Sequence, residues 1–392
     1  MNSNGKLFYI CVLLLSIAFI IIGNRIVSTD IDIGNYTDDI EYFSGIVTAI
    51  VERTERQDDP EWTLDFNIID ITFLARINSG ERRGDQVAVQ QHLSDMFLVN
   101  EREVSVGDRV LLVYTGSATG YFFANYARIN NVAILAGAFL VLVILFGRKK
   151  GFNAIVALGF TCMAVFFVFI PAILSGMNTY ITTIVICIYA IISTLLIVIG
   201  PNKKAVSAIF GCLGGVFLAG TLMLIMDNIL MLTGILDQET QNLLLLPTEN
   251  PINLRAIIFA GVIIGAVGAI MDVAMSIASS LWEVKEAGQD VDFASIFKSG
   301  INIGKDILGT MLNTLILAYI GSSLSLILLI TVHTTSYLEL FNMEIVIVEF
   351  LRALVGSFGM FFTIPLTAGI CGWLYTRYNK YEDCLRYDEN QR

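Results

Sequence analysis

Asp272 interrupts an otherwise apolar run, GVIIGAVGAIMDVAMSIASSLWEV, that extends from Gly261 to Val284. A carboxylate in such a setting can hold a cation, relay a proton or, beside a second carboxylate, cleave a bond. Wrapped on a helix, Gly261, Gly265, Gly268, Asp272, Ser276, Ser279 or Ser280, and Glu283 recur at steps of three and four. They therefore form one small and polar stripe. Ile264, Val267, Met271, Met275 and Trp282 are expected on the opposite face. Glycines let another helix approach closely, and a carboxylate in hydrocarbon costs about 3 kcal/mol or more unless it meets protein or water.

The next apolar run supplies partners. In KDILGTMLNTLILAYIG, Asp306, Thr310, Asn313 or Thr314, and Gly321 also recur at helical spacing. Counted from the inner helix ends at about 1.5 Å per residue, Asn313 falls within about 5 Å of the depth of Asp272. Antiparallel neighbours would bring Asp272 to Asn313 and Thr314. The last run adds Pro365, Thr367, Gly356, Gly359, Gly369 and Gly372. Pro365 frees a carbonyl near Phe361, and breaks of this kind border binding sites in transporters. The expected polar site is thus Asp272, Ser276, Asn313, Thr314, Pro365 and Thr367, with Gly261, Gly265, Gly268, Gly356 and Gly359 packing helices.

No catalytic residue is expected, and the chain does not read as an enzyme. Proteolysis would need Asp272 paired with Asp306, yet Asp306 falls near the headgroups beside Lys305. His333 lies at an outer helix end, so it forms no intramembrane Ser/His pair. The six cysteines (Cys11, Cys162, Cys187, Cys212, Cys371 and Cys384) show neither a CxxC nor a Cys/His spacing. No metal, no cofactor and no disulfide framework are therefore expected.

The elements that position these residues follow from composition. The 392 residues are 55% hydrophobic and 15% charged, which excludes a soluble globular chain. Net charge is −11, and a basic footprint for nucleic acid is absent. The fold class expected is an α-helical multi-pass membrane protein of about eight transmembrane helices. A small all-β extracytoplasmic domain, barrel or sandwich, is inserted after the first helix.

In chain order, residues 1–23 read as a signal-anchor helix, because the apolar run Leu7–Ile22 lacks a small-x-small cleavage pattern. Residues 24–131 read as the β-rich domain, with 18 acidic residues against nine arginines and no lysine. Strand signals fall at Tyr42–Val51, Trp62–Leu74, Asp85–Gln90, Arg109–Thr115 and Tyr121–Ala127, with turns at 78–80, 83–85 and 106–108. This size suits an OB-like or lipoyl-like barrel. His92 is expected on its surface. The Asn35, Tyr36, Thr37 sequon carries weight only in a eukaryotic secretory route, which nothing in the chain supports.

Residues 132–376 read as a seven-helix membrane domain, and 377–392 as a cytoplasmic tail. The spans are expected at Val132–Phe146, Asn153–Leu174, Tyr180–Ile199, Ala205–Met226, Ala256–Trp282, Ile307–Ile330 and Ala353–Tyr375. Segments Ile229–Leu246 and Tyr337–Phe350 are expected as interfacial helices, and Asp292–Gly304 as a short amphipathic helix capped by Asp292. Outside the β-domain, thirteen lysines and arginines fall on one side of these spans, and only Arg255 and Arg352 on the other. The positive-inside rule then makes both termini cytoplasmic and residues 24–131 extracytoplasmic.

Three strings, GAVGAIMDVAMSIASSLWEV, FKSGINIGKDILGTMLNTLILAYIGSS and VEFLRALVGSFGMFFTIPLTA, resemble the YibE/F family of bacterial multi-pass membrane proteins, over about Gly151 to Tyr375. The anchor and extracytoplasmic domain resemble its YibE-like branch. Lys305 stands where the family commonly shows an arginine, which keeps the charge. The resemblance implies the bacterial cytoplasmic membrane and a second family member as a partner subunit; the glycine-rich face equally suits a homo-oligomer seam. The expected function is a transporter or channel component moving an ion or small solute past Asp272. The alternative is a non-transporting scaffold or sensor whose outer β-domain binds a partner.

Overall fold

The computed structural model describes residues 3–27, 41–57, 67–94, 102–114, 120–246, 251–287, 292–333 and 336–389. The sequon at Asn35 and the first residues of the strand expected from Trp62 lie outside them. Two compact units result: Ile33–Val143, and Met1–Asp32 together with Ile144–Arg392.

The first unit is a closed barrel of β1 (Glu41–Gln57), β2 (Asn67–Ile77), β3 (Gln86–Ser94), β4 (Arg109–Tyr114) and β5 (Tyr121–Tyr126). Its order is β1-β2-β3-β5-β4, closing back on β1, and only the β3–β5 pair is parallel. This is the arrangement of an OB-type barrel. The 17-residue β1 pairs with β4 over Glu41–Ile46 and with β2 over Gly45–Gln57. Bulges after Val47 and Ile50 bend it between the two partners,. Alternate residues fill the interior: Ile71, Phe73, Ala75 and Ile77 on β2, and Val110 and Leu112 on β4,. The Arg53 guanidinium grips Glu103 at 2.9 and 3.1 Å and holds that carboxyl below its ordinary pKa. His92 is exposed, as expected, and pairs with Asp70.

The second unit contains α1 (Ser3–Val27), which packs on α4 (Thr179–Val198). Phe19 stacks on Tyr189 at 4.1 Å, and Tyr9 donates to Asn153 at 3.1 Å. Helix α2 spans Ile129–Ala164, is part of this unit from Ile144 onward, and continues through a π-helical turn, Val165–Phe169, into α3 (Ile170–Leu174). Arg148 interrupts α2 with a non-helical backbone, φ 47° and ψ −125°.

There follow α5 (Lys203–Ile229), α6 (Gln238–Leu244), α7 (Leu254–Ala287), α8 (Phe293–Ser322), α9 (Leu324–His333), α10 (Tyr337–Leu340) and α11 (Glu344–Glu389). Among the described residues, seven helices are long and apolar enough to cross a membrane. Polar side chains set several starts: Asn178, Asn202, Asp237 and Asp292 each accept a first-turn backbone N–H,.

Three expectations are corrected. The amphipathic segment from Asp292 and the following span form one helix, α8, which stops at Ser323 instead of reaching Ile330. Asp292 does cap it, accepting from Ser295 N–H at 3.0 Å. Glu344–Phe350 belongs to α11, leaving only the single turn of α10 as a separate element. Pro365 does not break its helix, because α11 is clamped between α5, α7 and α8 and stays helical across it,.

Helix α7 is the centre of the bundle, contacted by α4, α5, α8 and α11. Its buried ridge is Ile263, Ala266, Ile270, Val273, Ile277 and Leu281, at helical steps of three and four. Small residues set the seams. Thr363 and Thr367 of α11 seat against Gly215 and Gly211 of α5, and Ile364 and Ala368 against Gly304 and Gly300 of α8. The GCLGG stretch of α5 is thus the tight-packing surface its composition implies.

Candidate functional site

The stripe on α7 faces away from the ridge that packs it. Gly261, Gly265, Gly268, Asp272 and Glu283 are exposed, and Ser276, Ser279 and Ser280 are half-buried. Ile264, Met271, Met275 and Trp282 flank this stripe half-buried instead of lying opposite it. At 100° per residue they stand beside the glycines, whereas Ile263, Ile270 and Ile277 stand across the axis. Asp272 lies near the middle of the 34 residues of α7. Among the described residues it makes no hydrogen bond or ion pair.

The six expected site residues separate into three places. Asp272 and Ser276 share the open face of α7. Asn313 and Thr314 lie exposed on α8, which packs through Ile296, Gly300, Gly304 and half-buried Ile307, Met311 and Leu315. The Thr314 hydroxyl donates to Thr310 carbonyl in its own helix at 2.9 Å. No hydrogen bond joins Asp272 to Asn313 among the described residues. Thr367 is fully buried in the α5–α11 seam, and Pro365 is half-buried beside it. The rotation of α8 that leaves Asn313 exposed was not readable in the chain.

The glycines divide in the same way. A Cβ on Gly359 would stand 2.7 Å from Ile270, and one on Gly356 3.3 Å from Leu315. One on Gly265 would meet the Tyr319 hydroxyl at 3.3 Å, while Gly261 and Gly268 have nothing within 4 Å. Gly268→Ala is therefore expected to leave the monomer folded and to raise helix stability by about 0.5–1 kcal/mol. Thermal melting of the detergent-purified protein checks this. A drop in Tm would show that a second chain meets this face even in detergent.

A second polar centre escaped the sequence reading. Asp227, 8% exposed, accepts both Nε and Nη2 of Arg255, at 3.1 and 2.5 Å, joining the end of α5 to the start of α7. Beside it the Glu344 carboxylate accepts Thr233 N–H, Gly234 N–H and the Thr233 hydroxyl at 2.7–2.8 Å. The signal was present as an acid at the end of α5 and an arginine at the start of α7. Nothing local pairs residues 28 apart.

Of the described residues, no group of histidines, cysteines and acids is arranged to hold a metal. No curated protein and no solved structure matches the chain. A family model does: the YibE/F-like protein model matches residues 135–377, from within α2 to within α11. With that match over more than half of its length, this multi-pass membrane protein belongs to the YibE/F-like family.

Proposed function

We propose that this chain forms one wall of an intramembrane path for an ion or small solute, with Asp272 as the mid-depth carboxylate. The observation that carries the reading is the position of Asp272, halfway along a membrane-length helix, on the face turned away from its packing neighbours. A carboxylate left in hydrocarbon costs about 3 kcal/mol or more, so this face must meet water or protein. The open glycines at 261 and 268 admit a second helix at close range,. A second copy, or a second YibE/F-like subunit, supplies the other wall, and the lipid bilayer is the surrounding partner.

Topology supports the same reading. The 46 residues of Ile129–Leu174 are about 69 Å of helix, over twice the roughly 30 Å hydrocarbon thickness. Divided at Arg148 they are two spans, eight in all. Lys149 and Lys150 then lie on the cytoplasmic side with both termini, and the β-barrel is extracytoplasmic, in the bacterial cytoplasmic membrane. We assign the chain no covalent reaction.

The test is flux in reconstituted vesicles, read with dyes for protons, sodium, potassium and small anions. Wild type is expected to conduct or exchange one of them, and Asp272→Asn to lower that rate at least about tenfold, as loss of an ion's only fixed countercharge requires. Asn313→Ala, on a separate face, is expected to act less. Unchanged flux in Asp272→Asn, or none in wild type under any gradient, overturns the reading. The scaffold or sensor reading would then stand, favoured by the barrel being a compact unit with a closed core of its own.

A further inference from the structure

A cavity of about 170 Å³ lies where the first turns of α4 and α7 meet, at the opposite end of α7 from Glu283. Gly176, Asn178, Thr179, Tyr180, Asn253 and Ala256 are among its walls. The lining includes no acidic residue. Asn178 caps α4, accepting from Ile181 N–H at 3.3 Å. Asn253 caps α7 in the same manner, accepting from Ala256 N–H at 3.2 Å. Each cap side chain takes one first-turn N–H, and each cap carbonyl takes the next, from Thr182 and Ile257. The N–H groups of Thr179 and Tyr180, and of Leu254 and Arg255, have no acceptor within their own helices.

Two helices of 20 and 34 residues thus bring their positive ends to one polar hollow. Each end is equivalent to about half an elementary charge. The nearby Arg255 guanidinium is committed to Asp227, so that pair adds no net charge. An independent feature marks a ligand. Thr179 lines the cavity and is 6% exposed. Its carbonyl accepts from Thr183 at 2.6 Å, but its hydroxyl has no partner among the described residues. Thr179 is a lining residue, so its O–H is free to donate to an acceptor bound in the cavity,.

We propose that this cavity binds a phosphate group, with the Thr179 hydroxyl and the first-turn N–H groups of α4 and α7 as donors. At about 30 Å³ for each water-sized group, the volume holds a five-atom oxyanion. The site is separate from Asp272 and does not depend on the transport reading. Because both helices begin here as membrane-length elements, the phosphate has two sources, free inorganic phosphate or the headgroup of a phospholipid.

The experiment uses the full chain. In one arm, detergent-purified protein is titrated with inorganic phosphate, with chloride at matched ionic strength as control, by calorimetry and thermal melting. In the other, the protein in zwitterionic nanodiscs doped with phosphatidylglycerol is examined by native mass spectrometry for retained anionic lipid. Saturable phosphate binding with no retained lipid identifies the free ion as the ligand. Retained phosphatidylglycerol identifies a headgroup.

In either arm Thr179→Val is expected to weaken binding about tenfold, the loss of one hydrogen bond to a charged group. The pair Asn178→Asp and Asn253→Asp is expected to abolish it. Aspartate caps a helix as well as asparagine does, so this variant keeps its fold, with Tm in phosphate-free buffer unchanged or raised. Binding in neither arm, or binding equal to wild type in the double aspartate variant, overturns the proposal. So does gain of affinity for sodium or calcium without any loss of phosphate.

Discussion

Gly215→Ala is expected to destabilise the helical unit by about 3 kcal/mol, at the upper end of the ordinary cost of an overpacked core. An added methyl would stand 1.9 Å from the Thr363 hydroxyl oxygen and 3.0 Å from the Gly359 carbonyl oxygen. The second of these is backbone, so it cannot be relieved by a rotamer change. The Thr363 hydroxyl is itself tied to the Gly359 carbonyl at 2.7 Å, and α11 cannot shift without disturbing its seams with α7 and α8. Gly214→Ala is the control. There the nearest atom is the end of the Leu366 side chain, at 2.7 Å, which can swing away at about 1 kcal/mol. Melting of both variants in detergent checks the contrast. Thr363→Ala in the Gly215→Ala background is expected to restore about half of the loss, since it removes the closest atom. Equal Tm for Gly214→Ala and Gly215→Ala would refute the α5–α11 seam.

Arg255→Met is expected to cost about 3 kcal/mol, by leaving the Asp227 carboxylate buried without a cation. Asp227 keeps 8% of its side-chain surface and Arg255 keeps 39%, so the two halves of the pair are unequal. Removing the acid leaves an arginine that can extend into solvent, so Asp227→Asn is expected to cost only about 1 kcal/mol. Replacing both residues by apolar ones of similar size is expected to recover most of the Arg255→Met loss. Denaturation of the three variants under one condition gives the ordering. A larger loss for Asp227→Asn than for Arg255→Met would show that Asp227 is not the desolvated partner.

Much of this architecture was legible in the chain because its signals are local. Period-two runs with glycine turns located the five strands to within a few residues at most of the ends that lie among the described residues. Apolar length located the membrane helices, and Asp292 its cap. The errors came where elements join. Nothing between Gly304 and Asp306 stops a helix, so the amphipathic segment and the next span fuse into α8. Pro365 looks like a break until three packed neighbours hold the helix through it.

The candidate site shows the same division. The chain by itself determined that Asp272 lies deep in a membrane-length helix, on one stripe with Gly261, Gly265, Gly268 and Ser276. Spacing along one helix settles that, whatever surrounds it. Only the tertiary structure decided which way the stripe faces. Burial of Ile263, Ile270 and Ile277 against α5 and α11 turns the stripe outward, because the larger apolar side chains gain more from packing than glycines and serines do. The same rule leaves Asn313 on an open face of α8, whereas Thr367 is buried in a closed seam because Gly211 leaves room for it. Which helix meets which is set by side chains far apart in sequence, and no local pattern records it.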